Sequence, residues 1–322
     1  MIGLRRLDLR NNSLTGITKQ MSKTLTKLLL FQDLDNELEM ASKHWSSGGL
    51  SADHPLILLE GNPIEFVHLP LLNEEVVTAW LETLVPVNSS FREFVLVAAS
   101  QRAKGVSALA RILRKPTTQT EVLQLGANLI GPDGMVDLAL AFEGMPLRVL
   151  HLEGNMIKDR GAVAIAHALS GMPRIEILDL DSNKIGGTGF TGFASISLAE
   201  ISLKELTFSN NPELGKNLSN VEALCHQISG SKLENVKLDN TGLTDAGLLV
   251  IAKMLGRWST VRKLSVSENK FTERSIMVFA NALNRSVLTF VNLRGSTCAE
   301  NFCCTCLKPV NSHGKTIKFN LK

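Results

Sequence analysis

Clusters of cysteine, histidine and glycine mark where this sequence could do chemistry. Cys298, Cys303, Cys304 and Cys306 fall within nine residues, with His313 close behind. Cys303 and Cys306 form a C-x-x-C, a spacing at which two thiolates can hold zinc. A structural zinc site normally draws two such pairs from separate turns, and the second pair here is poorly spaced. The preferred reading is a C-terminal cap, in which small apolar cysteines pack and KTIKFNLK adds a last strand-like edge. GTGFTG at residues 187–192 has the G-x-G-x-x-G form of a dinucleotide fingerprint. That fingerprint wants an acidic residue at the end of the next strand, where the sequence reads LTFSNN. The seven histidines are scattered, and none has a partner four residues away on a helix. His167 and His226 fall on helix-like segments, while His151 falls on a strand facing inward. Nucleophile elbows, phosphate loops and paired carboxylates are absent from the sequence. We therefore expect no catalytic residue, no cofactor, no metal ligand and no enzyme activity.

Composition narrows the class further. With 322 residues and 44% hydrophobic content, the chain can bury one large core or two ordinary ones. Charged residues make up 20% and the net charge is +3, which argues against wholesale disorder. So slight a basic excess gives no footprint for nucleic acid. No apolar run reaches the length of a membrane span, and the opening MIGLRRLDLRNN lacks a signal-like apolar stretch. Five cysteines in so long a chain fit a reducing compartment, and a cytoplasmic location is expected. The chain has no tyrosine, for which we have no physical account.

The elements that must position any site are written in a repeat. The pattern L-x-x-L-x-L-x-x-N is met by TEVLQLGAN, LRVLHLEGN, IEILDLDSN, LKELTFSNN, LENVKLDNT, VRKLSVSEN and LTFVNLRGS, and more loosely by REFVLVAAS. The register residues Ser100, Asn128, Asn155, Asn183, Asn211, Thr241, Asn269 and Ser296 are separated by 28, 27, 28, 28, 30, 28 and 27 positions. Alternating apolar residues such as Leu150 and Leu152 predict a short strand with one buried face. The register Asn turns the chain by bonding backbone groups left open at the bend. Gly134, Gly161, Gly189 and Gly247 recur six residues later, at or just before a helix start. DRGAVAIAHAL, DAGLLVIAKML and ERSIMVFANAL then carry helical periodicity with an acidic residue near the start. A lone strand–helix unit cannot bury its apolar side, so the units must stack.

In these residues the chain resembles the ribonuclease-inhibitor-like class of leucine-rich repeats. The resemblance implies an α/β fold: a horseshoe-shaped solenoid with a concave parallel sheet and outer helices. Residues 91–296 form the regular repeats of this reading and residues 297–322 a C-terminal cap. Residues 1–90 form irregular N-terminal repeats, with strands at LRRLDLRNN and PLILLEGN and a helix at NEEVVTAWLETL. Leu4, Leu7 and Leu9 lie in a repeat strand near the start, so either the native chain is longer or this end docks on another protein.

The class implies an interaction scaffold. Residues flanking the buried strand leucines point out of the concave sheet. Reading those positions gives Leu56, Leu58, Phe94, Leu96, Val122, Val149 and Ile177 as an apolar strip. Glu60, His151, Glu153, Asp179 and Asp181 follow beside it, with Lys237, Lys263 and Arg294 further on. The expected partner is a protein with a basic, partly apolar surface, with neither nucleic acid nor membrane, within a larger multi-subunit assembly. The alternative is regulation of a small GTPase, as in the Ran GTPase-activating protein of the same repeat class. That family carries a long acidic tail, whereas this chain ends KTIKFNLK.

Overall fold

The computed structural model describes residues 6–8, 16–18, 21, 56–58, 66–68, 78, 81, 84, 91–97, 103–296, 312–314 and 316–320. Its strands are β1 (Arg6–Asp8), β2 (Gly16–Ile17), β3 (Leu56–Leu58), β4 (Phe66–His68), β5 (Glu93–Val95), β6 (Val122–Gln124) and β7 (Val149–His151). They continue with β8 (Ile177–Asp179), β9 (Glu205–Thr207), β10 (Asn235–Lys237), β11 (Lys263–Ser265), β12 (Phe290–Asn292) and β13 (Lys318–Asn320). Between the strands from β5 onward lie α1 (Ala103–Leu113), α2 (Pro132–Ala141), α3 (Lys158–Leu169), α4 (Gly187–Ala194), α5 (Leu218–Gly230), α6 (Asp245–Met254) and α7 (Glu273–Ala282).

These elements build a leucine-rich-repeat solenoid. β2 and β4 to β13 form one 11-stranded sheet in sequence order, every neighbouring pair parallel. The central strand residues Leu123, Leu150, Leu178, Leu206, Val236, Leu264 and Val291 are buried and paired in register, as the alternation predicts. The residues on either side of them face the open, concave surface. β13 pairs with β12, which is the edge strand expected of KTIKFNLK.

The register asparagines do more than turn the chain. Asn155 donates to Leu152 O in its own repeat and to Leu125 O in the preceding one, both at 2.9 Å. Its Oδ1 accepts from Asn128 N (3.0 Å) and Ile130 N (2.9 Å), also in the preceding repeat. Asn211 and Asn269 make the same bridges. Carboxylates add a second tie on the helix side. Asp159, in the first turn of α3, accepts from Gly186 N at the entrance to α4. Asp245 in α6 accepts from Thr272 N and Ser275 Oγ at α7.

Two expectations are corrected. Phe94 and Leu96 are fully buried, and Phe94 pairs with the core residue Leu123. The repeat in β5 is therefore set one residue earlier than REFVLVAAS suggested, so Glu93 and Val95 face the concave surface. A one-residue slip exchanges the two faces of a strand. Leu56 and Leu58 belong to β3, which pairs with β1 in a separate two-stranded sheet. The main sheet instead continues through β4, ten positions beyond β3, so these leucines are not part of its strip. Glu60 and the cysteines from Cys298 to Cys306 lie outside the described residues.

Candidate functional site

Val122, Val149 and Ile177 occupy the same position on three adjacent strands, β6, β7 and β8. Each is half-buried, because the short strand leaves its first residue on the concave face. Glu93 borders this apolar row on one side and Glu205 on the other. Sequence reasoning did not single out these two acids. Glu93 was hidden by the register slip, whereas Glu205 was legible in LKELTF as the counterpart of Ile177.

The next row carries the charge. His151 Nδ1 lies 3.6 Å from Glu153 Oε2 and 3.9 Å from Asp179 Oδ2, beyond hydrogen-bond length but within ion-pair range. The Glu153 carboxylate beside it raises the His151 pKa against the opposing effect of burial. Contact with His151 in turn lowers the Glu153 pKa. Asp179 moves the other way, raised first by burial and then by the charges of Glu153 and Asp181. Its Oδ1 accepts from Asp181 N at 2.9 Å, leaving Oδ2 toward the histidine. Asp181 is held by Asn210 Nδ2 at 3.1 and 3.2 Å. The sequence placed His151, Glu153, Asp179 and Asp181 together, and the stacking of adjacent repeats brings them together.

Beyond β9 the surface changes. Asn235, Lys237, Asp239, Lys263, Phe290 and Asn292 line a groove of about 380 Å³. Lys237 pairs with Glu205, and Asp239 accepts from Ser265 Oγ, Ser267 N and Ser267 Oγ. Arg294 is exposed at the end of this stretch.

One family model describing a leucine-rich repeat matches residues 145–166 and 173–194, and a second such model matches residues 3–25. The chain carries leucine-rich repeats. No curated protein matches it. Among solved structures, an internalin from Listeria monocytogenes is similar at 15% identity, covering 75% of this chain and 74% of that one, with a TM-score of 0.33.

The repeats account for the glycine motif. GTGFTG is the first part of α4, where Gly189 lies against Asp159 and Gly192 against Val163 of α3. A Cβ on Gly189 would come within 2.8 Å of the Asp159 backbone, so these glycines serve close helix packing. His167 and His226 are exposed on α3 and α5. Among the described residues, no helix is long and apolar enough to cross a membrane.

Proposed function

We propose that this leucine-rich repeat protein is an interaction scaffold that docks a protein partner on its concave face, as a subunit of a larger cytoplasmic assembly. The observation that carries this reading is the Val122–Val149–Ile177 row with His151, Glu153, Asp179 and Asp181 directly beside it. An apolar row desolvates on contact and holds a partner, while half-buried acids steer and orient it. The fitting partner presents a basic, partly apolar surface, such as one face of a helix. Leucine-rich repeats generally mediate protein–protein interaction. The full helices between strands, up to the 13 residues of α5, support the ribonuclease-inhibitor-like class.

Immobilised full-length protein tests the reading by capture at low salt, where surface charge acts over the longest range. The variant Asp179→Lys with Asp181→Lys should retain at least tenfold less of a partner that the parent captures. Leu140→Lys, on the exposed side of α2, should retain it fully. The reverse pattern would move the binding face to the helices. Stimulated GTP hydrolysis by a small GTPase on adding the protein would replace the scaffold reading with the regulatory one.

A further inference from the structure

We propose that His151, Glu153 and Asp179 form a binding site for a divalent transition metal, with zinc as the best-fitting ion. Among the described residues they are the group whose ligating atoms converge, all lying within 4.8 Å of one another. Each of the three side chains contributes one ligand atom to the group. Asp179 Oδ1 is occupied by Asp181 N, so Oδ2 is the oxygen presented. Glu153 Oε2 is shielded from solvent and makes no hydrogen bond. His151 presents Nδ1 to both carboxylates, at 3.6 and 3.9 Å, too far to satisfy either with a hydrogen bond.

The spacing suits an ion. With the three ligand atoms all within 4.8 Å of one another, some point lies within about 2.8 Å of each. Zinc bonds to imidazole nitrogen and carboxylate oxygen are about 2.0–2.2 Å, so the side chains need close in by less than about 1 Å. The imidazole nitrogen selects against magnesium and calcium, which prefer all-oxygen shells. Three protein ligands leave a fourth position for water or for a donor from outside. The ion binds neutral imidazole, so a proton leaves His151 wherever it is protonated. Two carboxylates and one dication sum to zero charge, so bound zinc would weaken attraction of a basic partner.

This site uses residues of the docking surface but needs no partner, so it stands or falls separately. Zinc titrated calorimetrically into the full chain carrying Cys303→Ser and Cys306→Ser should bind at one ion per chain. His151→Gln and Asp179→Asn should each weaken binding at least tenfold. Cobalt should give ligand-field absorption without thiolate charge transfer, and should broaden the His151 ring resonances selectively in the otherwise unaltered chain. That last measurement holds even where a variant fails to fold. Absence of binding, unchanged affinity in a folded His151→Gln, or broadening that spares His151 would each overturn the site.

Discussion

The concave face from β5 to β9 and the face from β10 to β12 share one backbone plan but spend their polar groups differently. In the second region, Asp239 is tied by three hydroxyls and a backbone N–H, and Asn292 donates to Ser265. In the first, Glu153 Oε2 is buried without a hydrogen bond and meets His151 only as an ion pair at 3.6 Å, with Asp179 Oδ2 3.9 Å from the same ring nitrogen. A satisfied network holds the strands that carry it, whereas an unsatisfied one is available to something else. The seam between the regions shows in the core as well. Thr241 stands where the ladder requires Asn, and it reaches only Leu238 O in its own repeat and Asn269 Oδ1 in the next. Other contacts span that junction: Gly215 N donates to Thr241 O, and the Trp258 indole N–H donates to Cys225 O of α5.

The largest expected effect separates core from surface within the first region. Phe94→Ala should cost about 3–5 kcal/mol, because it empties a fully buried site packed 5.2 Å from the Phe91 ring. Val149→Ala, half-exposed on the face, should cost about 1 kcal/mol or less. Denaturant midpoints of the two variants check this, and equal losses would restore Phe94 to the concave face. The next effect sharpens the seam. Asn155→Ala removes the one side chain that serves two carbonyls and two N–H groups, and should cost about 1–3 kcal/mol in all. Thr241→Ala strands fewer and should cost less than half as much. A Thr241 loss equal to that of Asn155 would mean that the ladder is continuous in effect.

Much of this was legible in the sequence, for a physical reason. Strand centres, register asparagines and helix starts are fixed by residue type at a period of 27 to 30, and the structure pairs them in that register from β6 to β12. β5 was misread because Phe94, Val95, Leu96 and Val97 are all apolar, so alternation could not say which pair faces in. β3 obeys the pattern, yet it pairs with β1, and no local signal distinguishes one parallel partner from another. The charged cluster was legible because His151 and Asp179 stand 28 residues apart at equivalent positions. Convergence of three ligating atoms was not, since it depends on side-chain rotamers.

A smaller effect compares the two faces by charge reversal. Lys237→Glu with Lys263→Glu alters the second region as strongly in charge as the paired lysine substitutions alter the first. On the docking reading it should leave partner affinity within about threefold, because rim charges chiefly steer encounter. Association rates at two salt concentrations measure this. An equal or larger loss from the lysine reversal would shift the interface toward the groove between β10 and β12.

The smallest effect is the pH dependence that only the first region should show. In metal-free protein, His151 has a raised pKa, chiefly from the Glu153 carboxylate. Its contribution to stability is therefore complete below the ordinary histidine value of about 6.5 and disappears as pH rises through the raised value. Glu153, with its pKa lowered, contributes above the ordinary glutamate range and loses that share as pH falls through its depressed value. Asp179 opposes both. Burial and neighbouring acids favour its protonated form, so its ionisation costs stability as pH rises, and Asp179→Asn should remove that cost at neutral pH. About a third of the His151 side chain is exposed, so solvent screening keeps its share to a few tenths of a kcal/mol. Urea midpoints measured with a chelator from about pH 6 to 8 should fall slightly more for the parent than for His151→Gln. Parallel curves across that window would show that the histidine gains nothing from its acids.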